Sequence, residues 1–112
     1  MVCLASNIIH LNGSNFSDTI ANNKPTLVDF WADWCAPCHM MAPVVESLAE
    51  KYRERIVFAK LDVDENPAIA QAYGIEAIPT FVLFFKGQPV ERAVGAVGKN
   101  GLEQLLNKAP KT

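Results

Sequence analysis

The apolar residues of this chain fall into short runs separated by polar segments. Three of the runs, at residues 26–32, 56–63 and 80–85, contain few polar side chains. Such runs are typical of strands covered on both faces, whereas a half-exposed strand alternates apolar and polar positions. We predict central strands at these three places and shorter strands at residues 8–11 and 90–94.

Between the strands, apolar residues recur at helical spacing. Residues 35–53 carry apolar side chains three or four positions apart, with basic residues near the C-terminal end, which is typical of an amphipathic helix. Shorter helices are predicted within residues 14–22, at residues 66–73, where Gly74 ends the segment, and from about residue 99 onward.

The predicted elements follow the order β, α, β, α, β, α, β, β, α. Parallel neighbouring strands need helical crossovers, so this order predicts an α/β fold with a mixed sheet of about five strands flanked by about four helices. At 112 residues, 50% of them hydrophobic, the chain is long enough for one core and too short for two. We expect a single domain over residues 1–112.

Charge and hydropathy narrow the possible partners. Ten basic and twelve acidic residues leave a formal net charge of -2 without a basic block, so we expect no nucleic acid partner. The longest apolar run, residues 78–85, is far shorter than the roughly 20 residues that cross a bilayer, so we expect no membrane partner. Residues 1–11 lack the features of a secretory signal, and we expect a cytoplasmic location.

Two of the three cysteines are closely spaced at the predicted junction of a strand and a helix. Cys35 and Cys38 lie three positions apart, which on a helix gives a Cα separation of about 5 to 6 Å, inside the range of a disulfide. The positive end of the helix dipole favours a thiolate at Cys35. We therefore predict Cys35 as the nucleophile of thiol–disulfide exchange and Cys38 as the resolving cysteine. Cys3 is interpreted as incidental.

Two other kinds of site use closely spaced cysteines. A structural zinc site needs four ligands, and the chain offers only Cys3, His10 and His39 beyond the pair. Cys35, Cys38 and His39 also match the C-x-x-C-H pattern of covalent haem attachment. A redox dithiol without bound metal is favoured, because C-x-x-C beside a βαβ pattern is typical of one. On these residues alone, the haem and zinc alternatives stay open.

A longer pattern surrounds the pair. Residues 27–38 read Leu-Val-Asp-Phe-Trp-Ala-Asp-Trp-Cys-Ala-Pro-Cys. Further motifs follow in order: Ala42-Pro43, residues 59–67, Tyr73-Gly74-Ile75, Ile78-Pro79-Thr80 and Val94-Gly95-Ala96. Together they resemble the thioredoxin family over residues 8–106. The resemblance implies the thioredoxin fold and an enzyme that reduces disulfides in target proteins through a reversible Cys35–Cys38 disulfide, with no bound cofactor.

Two charged residues in predicted strands acquire roles from this resemblance. Asp29 interrupts an apolar strand, and burial there would raise its pKa and make it a proton acceptor near neutral pH. The resemblance implies that this acid deprotonates Cys38. It also places Lys60 near Asp29, where the lysine modulates the acid, although Lys60 in an apolar strand also fits a side chain that snorkels to the surface.

The resemblance further implies a flat apolar docking surface beside the cysteines. Sequence alone predicts a trans Ile78–Pro79 bond, whereas the resemblance implies a cis bond whose backbone pairs with an extended substrate segment. The implied docking residues are Trp34, Ala36, Pro37, Ile78, Pro79, Val94 and Gly95.

The chain departs from the commonest family pattern at two positions that flank the reactive sulfurs. Ala36 stands where glycine is usual and bears on the close approach of a target backbone, whereas His39 stands where lysine is frequent. We hypothesise that a protonated His39 stabilises the thiolate. The implied partners are disulfide-containing proteins and a thioredoxin reductase that draws on NADPH through a flavin, and we expect a monomer.

Overall fold

The computed structural model describes residues 7–110, within which strands and helices alternate in the predicted order. The strands are β1 (Ile8–His10), β2 (Thr26–Trp31), β3 (Val57–Asp62), β4 (Thr80–Phe85) and β5 (Gln88–Val94). The helices are α1 (Phe16–Ile20), α2 (Ala36–Lys51), α3 (Pro67–Ala72) and α4 (Gly98–Leu106). Cys3 lies outside the described residues.

The strands form one mixed sheet in the order β1-β3-β2-β4-β5. Strands β1, β2 and β3 run parallel, whereas β4 is antiparallel to both β2 and β5. The predicted fold class, a mixed sheet of five strands with four helices, is confirmed. Strand β2 lies at the centre of the sheet, and the cysteine pair follows directly after it.

Helices cover both faces of the sheet, which explains the continuous apolar runs. On one face, Leu27, Phe58 and Phe81 pack in a cluster with residues of α2 and α4. On the other face, Val28 and Phe30 pack in a cluster that includes residues of α1. Because successive strand side chains point to opposite faces, a strand covered on both sides needs apolar residues at nearly every position.

The hairpin of β4 and β5 forms one edge of the sheet. Lys86 and Gly87, with φ angles of 53° and 84°, make the two-residue turn, whose geometry requires positive φ at both positions. The register shifts after Leu83, which pairs with Glu91, while Phe84 pairs with Pro89. The residue between these two partners is therefore an extra residue in β5, as in a β-bulge.

The structure begins β5 two residues earlier than the sequence predicts and begins α4 at Gly98, close to the predicted start. Helix α1 is shorter than the predicted segment, because it ends at Ile20. Among the helices within residues 7–110, none combines the length and the apolar character that a membrane crossing requires.

Candidate active site

Cys35 and Cys38 lie where the chain passes from the central strand into α2. Cys35 is the N-cap of α2 with an extended backbone, and its sulfur accepts a hydrogen bond from the Cys38 backbone N–H over 3.2 Å. The two sulfurs form a disulfide with a Cα separation of 5.3 Å, as helical spacing predicts. The N-cap and the first turn of α2 thus hold both sulfurs within bonding distance.

The disulfide is shielded on several sides. Cys35 and Cys38 are only 3% and 4% exposed and cluster with Ala32, Trp31 and Ile78. The carbonyl oxygen of Ile78 lies 3.8 Å from the Cys35 sulfur. The backbone of residue 78 therefore borders the Cys35 sulfur.

The predicted docking residues differ in exposure. Trp34 is 69% exposed and Val94 54% exposed, although both are large apolar side chains. Ala36 and Pro37 are also exposed in the first turn of α2, whereas Ile78 and Gly95 are half-buried.

Pro79 differs from the rest of the predicted docking set because it is buried. Its carbonyl oxygen accepts a hydrogen bond from the Gly95 N–H over 2.7 Å, which ties the start of β4 to the end of β5. The Ile78–Pro79 peptide bond is cis, as the resemblance implied and contrary to the prediction from sequence alone. Pro79 thus contributes backbone at the site and no exposed side chain.

Two polar contacts that the sequence did not reveal hold the loop before α2. The Trp34 indole N–H donates a hydrogen bond to the Asp64 carboxylate over 2.7 Å. The His39 ring nitrogen Nε2 lies 2.6 Å from the Asp33 carbonyl oxygen. Asp64 lies just after β3 and 30 residues along the chain from Trp34, so no local sequence pattern indicates the contact.

Asp29 is a buried acid on the sheet face that packs against α2. It is 5% exposed, and its Oδ1 has no hydrogen-bond partner among the described residues. Removal from water raises the pKa of Asp29 from 3.8 to about 7, while the positive charge of Lys60 acts in the opposite direction. An acid with this pKa exchanges protons readily at neutral pH.

Lys60 is the register partner of Asp29 on the neighbouring strand β3. Its side chain is half-buried, and its ammonium nitrogen lies 4.2 Å from the centroid of the Trp31 ring, a cation–π contact. The structure therefore places Lys60 beside Asp29, as the resemblance implied. Lys60 and Trp31 also line a surface cavity.

The remaining candidate ligands are dispersed. His10 is exposed on the edge strand β1, and His39 is engaged with the Asp33 carbonyl. Over residues 7–110, no group of three or more histidine, cysteine, aspartate or glutamate side chains is arranged to hold a metal ion.

Comparison with known proteins decides the family. The family model described as Thioredoxin matches residues 7–108. The chain belongs to the thioredoxin family. A thioredoxin from Porphyra purpurea is 45% identical over 102 residues, which cover 90% of this chain and 95% of the relative. A thioredoxin from Alicyclobacillus acidocaldarius is 49% identical over 96 residues, covering 86% of this chain and 91% of the relative.

A third relative, the bifunctional thioredoxin reductase/thioredoxin of Mycobacterium leprae, is 53% identical over 96 residues. The matched region covers 86% of this chain but only 21% of that longer protein.

As a member of this family, the protein is a thiol–disulfide oxidoreductase that reduces disulfides in target proteins through Cys35 and Cys38. The disulfide between the two cysteines is the oxidised state of this dithiol. Of the three interpretations of the cysteine pair, family membership supports the redox dithiol.

Proposed function

We propose that Cys35 is the attacking thiolate of this reductase and Cys38 the resolving thiol. The observation that carries the proposal is the position of Cys35 at the N-cap of α2, where its sulfur accepts the Cys38 N–H. A hydrogen bond to the sulfur and the positive end of the helix dipole both stabilise a negative charge there. Stabilising the thiolate lowers the pKa of a cysteine and makes it the better nucleophile at neutral pH.

The proposed reaction has two exchange steps. The Cys35 thiolate attacks a target disulfide, so one target sulfur leaves as a thiolate and the other forms a mixed disulfide with Cys35. Asp29 then takes the proton of Cys38, whose sulfur attacks the Cys35 sulfur and releases the second target thiolate. The target gains two electrons, and the Cys35–Cys38 disulfide forms. Lys60 modulates this step by favouring the ionised form of Asp29.

We propose that targets dock on the surface around the cysteines. The exposed Trp34 and Val94 offer apolar area, and the Ile78 carbonyl beside Cys35 offers a backbone acceptor to an extended segment. Ala36, Pro37 and Gly95 complete this surface, and buried Pro79 holds its backbone.

Electrons return to the protein, we propose, from a thioredoxin reductase that uses NADPH and a flavin. The Mycobacterium leprae relative, which is named for both a reductase and a thioredoxin, supports such a pairing.

We further propose one domain over residues 1–112, a monomer, and a cytoplasmic site of action, without a nucleic acid or membrane partner.

The direction of the reaction is tested by a redox titration in glutathione buffers, followed by tryptophan fluorescence. Trp34 and Trp31 lie close to the disulfide, so their emission reports its state. We expect a two-electron transition well below about -220 mV, which defines a reductant of cytosolic disulfides. A transition near about -120 mV would identify an oxidant, and the absence of a transition would refute the proposal.

The roles of the two cysteines are tested by trapping. Cys38→Ser leaves the nucleophile but removes the resolving thiol, so we expect a stable mixed disulfide with a disulfide-containing protein, detected by mass spectrometry. Cys35→Ser is the matched control and should trap little. Equal trapping by both variants would contradict the assignment of nucleophile and resolving cysteine.

A further inference from the structure

The four residues between β2 and α2 carry both the nucleophile and the most prominent docking side chain. Strand β2 ends at Trp31 and α2 begins at Ala36, so Trp34 and Cys35 belong to this connection. We call residues 32–35 the cysteine loop. Its conformation decides where the Trp34 ring stands relative to the Cys35 sulfur.

His39 contacts the cysteine loop twice from the first turn of α2. Its backbone N–H donates to the Cys35 carbonyl over 3.2 Å, and its ring nitrogen Nε2 lies 2.6 Å from the Asp33 carbonyl oxygen. A carbonyl oxygen only accepts hydrogen bonds, so Nε2 carries a proton and donates. The two contacts fix the carbonyl groups on either side of Trp34.

The His39 ring is itself oriented by a neighbour. It meets the Trp31 ring edge to face, with 6.1 Å between centroids and an interplanar angle of 81°. Trp31 is the last residue of the central strand and is half-buried, so the sheet sets the position of its backbone. The His39 ring thus contacts both the end of strand β2, through Trp31, and the cysteine loop, through the Asp33 carbonyl.

The Trp34 side chain has a separate attachment. Its indole N–H donates to Asp64, although the ring is 69% exposed. The Trp34 ring is therefore both exposed and held in one orientation. Such a side chain loses little conformational freedom when a partner binds to it.

We propose that His39 is a positioning residue for recognition of protein targets: its imidazole holds the cysteine loop so that Trp34 and Cys35 are presented together to a protein disulfide. The inference rests on the proposed docking surface. The hydrogen bond requires only a protonated Nε2, which both the neutral and the cationic ring provide. Positioning is therefore distinct from stabilisation of the thiolate by a positive charge at His39.

Steady-state reduction of two substrates tests the proposal, with dithiothreitol as the electron donor that regenerates the dithiol and with its uncatalysed rate subtracted. Insulin is the protein disulfide, and oxidised glutathione is a small disulfide that needs little docking surface. His39→Leu removes the donor, and we expect its KM for insulin to rise roughly three- to tenfold, the effect of one lost hydrogen bond, with kcat and the glutathione rate within twofold. His39→Gln restores a neutral donor and should restore the KM.

Control variants separate positioning from other effects. His10→Leu removes the other histidine of the chain, which is exposed on the edge strand β1, and should leave both substrates unaffected. In a Trp34→Ala background, His39→Leu should raise the KM no further, because the histidine acts through the loop that carries Trp34. Denaturant unfolding of each variant verifies the fold.

Three results would overturn the proposal. The first is an unchanged KM for insulin in His39→Leu. The second is equal slowing of both substrates with rescue by His39→Lys and not by His39→Gln, which would assign a charge effect. The third is an undiminished effect of His39→Leu in the Trp34→Ala background. If the unsubstituted protein reduced neither substrate, the proposed function itself would fail, independently of His39.

Discussion

Asp29 and Lys60 are register partners on β2 and β3, yet no ion pair joins them within residues 7–110. The Lys60 ammonium instead lies over the Trp31 ring, and Asp29 Oδ1 is left without a hydrogen-bond partner in the part of the chain that the structure describes. Burial therefore outweighs the lysine charge and raises the pKa of Asp29 to about 7.

The first prediction concerns stability against pH. Between pH 3.8 and about 7, Asp29 keeps its proton in the folded protein but loses it in the unfolded chain. The free energy of unfolding therefore falls as pH rises through this window. This difference of about 3 between the two pKa values of Asp29 corresponds to roughly 4 kcal/mol of the free energy of unfolding. We expect Asp29→Asn to raise the free energy of unfolding of the oxidised protein by up to about this amount at pH 8 and little at pH 4.

Urea unfolding at a series of pH values measures this effect as the difference between variant and unsubstituted protein. Taking the difference cancels the titration of groups that the substitution does not touch. A difference that stays constant from pH 4 to pH 8 would show that Asp29 does not titrate in this window.

The second prediction concerns the resolving step. We expect Asp29→Asn to slow breakdown of the mixed disulfide by about 100-fold near pH 7, because the amide cannot accept the Cys38 proton. Single-turnover reaction with a protein disulfide, quenched with acid, measures the decay of the intermediate. The initial attack, measured in a Cys38→Ser background, should be unaffected. If the mixed disulfide decayed at the same rate in both proteins, Asp29 would not be the proton acceptor.

The third prediction concerns Lys60. Its charge lowers the pKa of Asp29, so Lys60→Met should raise that pKa further and move the pH midpoint of the resolving step upward. At pH 7 the step should be slower, because less Asp29 is ionised. Lys60→Arg keeps the charge and is the matched control. The pH dependence of single-turnover resolution is the measurement, and identical midpoints in the Met and Arg variants would contradict a role for the charge.

The fourth prediction concerns Gly101 in α4. A Cβ at this position would lie 2.6 Å from the Cβ of Val97, closer than the structure tolerates without a shift. Alanine gains about 1 kcal/mol of helix propensity over glycine, whereas overpacking costs about 1 to 3 kcal/mol. We expect Gly101→Ala to lower the free energy of unfolding by about 1 kcal/mol on balance.

The matched control for this change is Gly13→Ala. No atom lies within 4 Å of a Cβ built there, and its backbone is not in the left-handed region, so the substitution should be neutral or slightly stabilising. Urea unfolding compares the two variants. A Gly101→Ala protein as stable as the control would mean that Val97 moves aside freely.

The alternation of elements could be predicted because both faces of the sheet are covered, so the central strands are apolar at almost every position. The separation of the cysteine pair was also predictable, because the extended N-cap Cys35 still lies within one turn of Cys38, inside the range of a disulfide. Exposed elements were less predictable. Strand β5 is exposed over most of its length and begins with Gln88 and Pro89, so its first two residues carry no apolar strand pattern.

Contacts between loops could not be predicted from local patterns. The bonds from Trp34 to Asp64 and from His39 to Asp33 depend on how β2, β3 and α2 meet at one end of the sheet. The same holds for the burial of Pro79, whose carbonyl oxygen accepts a hydrogen bond from the Gly95 N–H across the β4–β5 pair. Such details depend on tertiary geometry, which residue types alone do not encode.

The irregular outer edge of β5 has a consequence for the solubility of the folded protein. An uncovered strand offers unpaired backbone groups to any segment in a similar conformation, which is a route to aggregation. In β5, Pro89 lacks an N–H, the bulge interrupts the regular spacing of acceptors, and Glu91 and Arg92 are exposed. These features disfavour pairing of β5 with a strand of another molecule, so the exposed flank of the sheet resists aggregation.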